Sequence, residues 1–103
     1  MQQNSFLLND DSIKKLLDEI KGDQKISPLR DINDLKGFVK QGIYDIEYYV
    51  GKYINFDEDL QARDLLKNYV LFSDHNLKSK FKEEYQGEYI GLQIKYNRDS
   101  VVQ

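Results

Sequence analysis

The chain has 103 residues, of which 40% are hydrophobic and 32% charged, with a net charge of −3 and no cysteine. That length holds one small domain and not two. A disulfide framework and thiolate metal sites are excluded, and the basic footprint of a dedicated nucleic-acid binder is missing. The sequence has no apolar run of about 18 residues, so no transmembrane helix is expected. The opening MQQNSFLLNDD lacks the basic region and long apolar core of a secretory signal.

The chain reads as an all-α domain of four helices, at about residues 10–21, 31–53, 57–72 and 75–95, between an N-terminal arm (1–9) and a C-terminal tail (97–103), both expected to be flexible. The first helix carries Ile13, Leu16, Leu17 and Ile20, one apolar stripe at i, i+3, i+4 and i+7. Asp10 or Asp11 is expected to cap it, and Gly22 to stop it. A loop with Ser27-Pro28 follows. The second helix starts near Ile32, with Asp31 or Asn33 as its cap. Its apolar positions are Ile32, Leu35, Val39, Ile46, Val50 and Tyr53.

Gly37, Gly42 and Gly51 fall inside this second helix. Each costs about 1 kcal/mol against alanine in a helix interior. Close helix–helix approach would account for them; so would a break near Gly42 with Gly51 ending the regular part. A strand over 43–50 is the competing reading, since Tyr, Ile and Val favour strands. It places Ile43, Asp45 and Glu47 on one face, which is poor alternation, so the helix is preferred.

Residues 55–59 form a turn in which Asn55 or Asp57 caps the third helix. Ala62, Leu65, Leu66, Tyr69 and Phe72 share one face of that helix, widened by Val70 and Leu71, which makes it the central one. Ser73-Asp74-His75-Asn76 is a polar break. The fourth helix carries Leu77, Phe81 and Tyr85 at spacing four and is interrupted at Gly87. The segment 88–96, EYIGLQIKY, fits either period. Ile90, Leu92, Ile94 and Tyr96 alternate as in a strand, whereas Tyr85, Tyr89 and Leu92 continue a helical stripe. With no second strand in the chain, the segment is a helix, or a strand that pairs with another molecule.

No catalytic, cofactor-binding or metal-binding set emerges, and the chain is not expected to be an enzyme. His75 is the lone histidine and has no nucleophile near it in sequence. Asp57, Glu58 and Asp59 lack the glycine and ligand spacing of a calcium loop. Gly87 and Gly91 are not part of a phosphate loop. Lys78, Lys80 and Lys82 beside Glu83 and Glu84 read as a solvated face. The remaining signal is aromatic. The eight tyrosines exceed what a small core absorbs, and tyrosine suits interfaces. Tyr44, Tyr48, Tyr49 and Tyr53 fall on more than one side of the second helix and are the candidate subunit interface.

The order of these phrases resembles the small head–tail connector (adaptor, head-completion) proteins of long-tailed bacteriophages. Their second helix commonly closes on I-E-x-Y-x-G, matched by Ile46, Glu47, Tyr49 and Gly51. Their next helix carries Leu-Leu-x-x-Tyr-Val, matched by Leu65, Leu66, Tyr69 and Val70. A tyrosine followed by a short leucine-containing run in the last helix is matched by Tyr85 to Leu92. The resemblance spans about residues 10–96. It implies a structural virion protein, assembled in the host cytoplasm and placed in the neck between head and tail. There it forms a ring, typically of twelve subunits, beneath the portal protein. That ring extends the DNA channel without binding DNA specifically, and it presents a platform to the next connector or tail protein. It also implies portal docking by the C-terminal segment, here Tyr89, Ile90, Leu92, Ile94, Tyr96, Val101 and Val102. The competing reading is a small helical immunity or inhibitor protein. It would neutralise a toxin or nuclease through a patch of Asp45, Glu47, Tyr48 and Tyr49 with Asp57, Glu58 and Asp59. A transcription regulator would need a basic recognition helix that this chain lacks.

Overall fold

The structure, a computed structural model, describes residues 9–23, 26–27 and 29–101, with side chains described through 97. Residues 1–8 of the expected 1–9 arm, Pro28 and Val102 lie outside the described residues, as does the side chain of Val101. The described residues are all-helical, with five helices rather than four.

Helix α1 (Asp10–Gly22) is capped by Asn9, whose side chain accepts the Ser12 N–H at 2.8 Å. The cap falls one residue before the expected Asp10. Asp10 and Asp11 instead fill the first turn, where the helix dipole favours carboxylates. The predicted stripe of Ile13, Leu16, Leu17 and Ile20 is buried.

Helix α2 (Ile32–Val50) is capped by Asp31 through the Asn33 N–H. It runs unbroken through Gly42 and stops three residues short of the expected Tyr53. Gly51 ends it, at φ 85°, with its N–H on the Glu47 carbonyl. That left-handed conformation is open to glycine at little cost and releases the chain from the helix.

Helix α3 (Leu60–Asp74) is capped by Asp59, which accepts the Ala62 N–H. Asn55 does not cap it; its side chain holds the Asp57 N–H inside the turn. The helix continues through Ser73 and Asp74, and His75 is its C-cap. Asn76 follows at φ 60°, a left-handed position that asparagine tolerates.

The expected single helix over 75–95 is two, α4 (Lys78–Glu84) and α5 (Gln86–Val101). The break is at Tyr85, two residues before Gly87. Its physical reason is a change of packing partner: α4 lies on α3, whereas α5 lies on α2. The strand alternative for 89–96 is overturned, because those residues are helical and cover the core. Residue 97, expected to start a tail, lies inside α5.

The core is one cluster, and α3 packs most extensively on α2. At their crossing, a Cβ on Gly42 would stand 2.7 Å from Leu66 Cδ1 and 2.8 Å from Tyr69 Cδ1. Close approach, and not a kink, accounts for that glycine. The loop between the two helices also enters the core, with Ile54 and Phe56 fully buried. Among the described residues Arg63, 7% exposed, is the buried charged residue. Its guanidinium donates to both oxygens of Glu19 (3.1 and 2.8 Å) and to the Phe56 carbonyl (3.1 Å). The hydrogen bonds from Arg63 and then Lys67 hold the Glu19 carboxyl down at about 2. This joins α1 to α3 where apolar contacts alone would leave the register free.

Candidate interaction surface

The side of α2 turned away from the core carries Tyr44 and Tyr48, one helical turn apart. They are 64% and 79% exposed, and their rings stack at 6.2 Å with 16° between planes. Ending α2 at Gly51 places Tyr53 on the following loop, 57% exposed. These three rings line a shallow groove of about 710 Å³ with Ile43, Lys40 and Lys52. Glu47 stands within it, half-buried. Its carboxylate accepts the Ile54 N–H at 2.9 Å, and burial raises its pKa, with that bond opposing the rise.

Tyr49, expected in the same interface, belongs to the edge of the core. Its ring meets Tyr89 edge-on at 4.7 Å, and Lys82 Nζ lies 4.3 Å above it. Helical geometry explains the split. Residues 44 and 48 share a face, while 49 turns toward α5. A second, smaller cleft of about 210 Å³ adjoins the first through Tyr48. It is floored by Tyr69, Phe81 and Tyr89 and rimmed by Lys78 and Lys82. Asp45 lies in it, accepting the Tyr69 hydroxyl and the Gln41 amide. Burial and this carboxylate raise the Tyr69 hydroxyl well above the usual phenol range.

The C-terminal candidates separate just as cleanly. Tyr89 (3% exposed) and Leu92 (0%) are core residues, so neither can dock onto a partner from this fold. Burial pushes the Tyr89 hydroxyl up to about 12. Tyr96 is half-buried and donates to Asp59, the α3 cap. Ile90 and Ile94 are exposed, one turn apart. Sequence reading missed what fastens α5. Gln93 Nε2 donates to the Tyr49 carbonyl at 3.0 Å and Asn97 Nδ2 to the Val50 carbonyl at 3.2 Å. Both satisfy carbonyls in the last turn of α2, which have no partner within their own helix.

The I-E-x-Y-x-G phrase is thus a helix-stop device. Ile46 is core, Glu47 holds Ile54, the Tyr49 carbonyl receives Gln93, and Gly51 turns the chain. The Leu65, Leu66, Tyr69 and Val70 phrase is wholly buried. His75 is exposed at the end of α3. Among the described residues no group of three or more His, Asp or Glu is placed to hold a metal ion, and no helix is long and apolar enough to cross a membrane. What the surface offers chemically is aromatic contact area bordered by lysines. No family model, no curated protein and no solved structure matches the chain.

Proposed function

We propose that this chain is a structural assembly protein of the phage head–tail connector type, a subunit of a ring beneath the portal that joins head to tail in the virion neck. The observation that carries the reading is the face of Tyr44, Tyr48 and Tyr53, large aromatic surface that the core does not use. Exposed rings of this size on a small domain mark an interaction site. In a ring each subunit needs two different faces, because the contact is head-to-tail and closes by rotation. Portal docking narrows to Ile90 and Ile94, the C-terminal candidates with exposed side chains among the described residues.

The acidic patch of the inhibitor reading is divided in this fold, with Asp57 and Glu58 left exposed. Asp45 and Glu47 are engaged inward with Tyr69 and Ile54, and lysines border the tyrosines instead.

The test is the mass of the purified protein at high concentration, with electron micrographs, alone and with portal protein. Rings of about a dozen subunits, alone or on the portal, support the connector. Failure to form rings or to bind the portal in either setting refutes it.

A further inference from the structure

The chain is acidic overall, yet its aromatic face is not. Lys40 and Lys52 border the Tyr44–Tyr48–Tyr53 groove, and Lys78 and Lys82 border the adjoining cleft. Tyr48 lines both, so the four lysines belong to one continuous band. All four are exposed. Among the described residues none of them forms an ion pair; the recorded pairs involve Lys14, Arg30, Arg63, Lys67 and Lys95. The two carboxylates inside the band are occupied from within, Asp45 by Tyr69 and Gln41, Glu47 by Ile54. The band therefore presents an excess of positive charge, four lysines against two inward-bonded carboxylates, around flat aromatic rings.

The complement is present on the same molecule. Ser12 Oγ donates to Asp57 Oδ2 at 3.0 Å, which draws the first turn of α1 against the α2–α3 loop. That contact joins the turn that carries Asp10 and Asp11 to the loop that carries Asp57 and Glu58, and all four carboxylates are exposed. Asp57 is shared with Arg63, while Asp10, Asp11 and Glu58 have no cationic partner among the described residues.

We infer that the lysine–tyrosine band is the seat for a second copy of this chain, which brings its Asp10–Asp11 and Asp57–Glu58 cluster onto Lys78, Lys82 and the Tyr44–Tyr48 stack. The inference deepens the ring reading, and rests on it for the choice of another copy as the partner. Opposite potentials steer and orient such a contact, and tyrosine supplies its area. Nucleic acid fits less well, because the chain carries −3 overall and would repel a phosphate backbone at long range.

The experiment is a charge swap read by light scattering and sedimentation at low and high salt. One variant carries Lys78→Glu and Lys82→Glu, the other Asp10→Lys and Asp11→Lys. All four sites are exposed, so circular dichroism should show both variants folded. The expected result is self-association of the parent that weakens with salt. Each variant alone should associate at least tenfold more weakly, and their equimolar mixture should recover the parent's association. Three results would overturn the inference: a parent that stays monomeric at the highest concentration, variants that associate like the parent, or a band that instead binds a single-stranded oligonucleotide and loses it in Lys78→Glu/Lys82→Glu. Rings that persist in both variants would sink this contact and leave the connector reading standing. Loss of portal binding by every form, with the charge swap working, would do the reverse.

Discussion

Replacing Gly42 by alanine sets two effects of one methyl group against each other. Alanine in a helix interior is favoured over glycine by about 1 kcal/mol, partly through the unfolded chain. At Gly42 the new Cβ would lie 2.7 Å from Leu66 Cδ1 and 2.8 Å from Tyr69 Cδ1. Ordinary carbon contacts are about 3.5–4.0 Å, so those side chains must retreat by roughly 1 Å. Leu66 is fully buried, and Tyr69 is held by its bond to Asp45, so neither has room to spare. Overpacking of this kind costs about 1–3 kcal/mol. The net expectation for Gly42→Ala is a loss of up to about 2 kcal/mol, a fall in Tm of up to roughly 16 °C for a domain of this size. Gly37→Ala is the control. It lies on the same helix with nothing within 4 Å of its added methyl, and should stabilise by about 0.5–1 kcal/mol. Urea and thermal unfolding followed by circular dichroism read both. Equal stabilisation by the two substitutions would refute the tight α2–α3 crossing.

Two further outcomes rest on the buried polar groups. Glu19 titrates near 4.5 when unfolded and is held down at about 2 in the fold, so its contribution is complete above the unfolded value and is lost as pH falls toward 2. The interval sets a ceiling of about 3 kcal/mol, which the 38% exposure of this side chain reduces to about 1–2 kcal/mol. Glu19→Gln should be less stable by that amount at neutral pH and nearly equal to the parent near pH 2 (about 2 from the same linkage); a constant difference across pH would contradict the pairing with Arg63. Tyr69→Phe should cost about 1 kcal/mol by removing the hydroxyl that Asp45 accepts, and Tyr69→Ala about 3–5 kcal/mol by emptying the core at the crossing. Similar losses from both in equilibrium unfolding would mean that the ring is not the part that matters.

Periodicity and punctuation along the chain were enough to place the first three helices, though not to divide the last into α4 and α5. The i, i+3, i+4, i+7 stripe of α1 and the apolar faces of α2 and α3 are local properties, since one buried side per helix leaves its period in the residue order. Tyr44, Tyr48 and Tyr53 as surface rings were legible for the same reason, whereas the second helix was expected to run on to Tyr53 and ends at Val50. What the residue order left open depended on neighbours distant in sequence. Asn9 and Asp59 cap their helices although other capping residues stand nearby, because the surrounding packing selects one start. The helix breaks at Tyr85 because α4 and α5 pack on different partners. Tyr89 and Leu92 became core, and not docking surface, once α5 was fastened to the last carbonyls of α2 by Gln93 and Asn97. Ile54 and Phe56 gave no periodic signal in a short loop, and nothing in the residue order marked Arg63 for burial, which comes from Glu19, 44 positions away, folded against it. Residue order sets which apolar faces exist; packing selects which of them is covered, because burial is a property of the partner as much as of the residue.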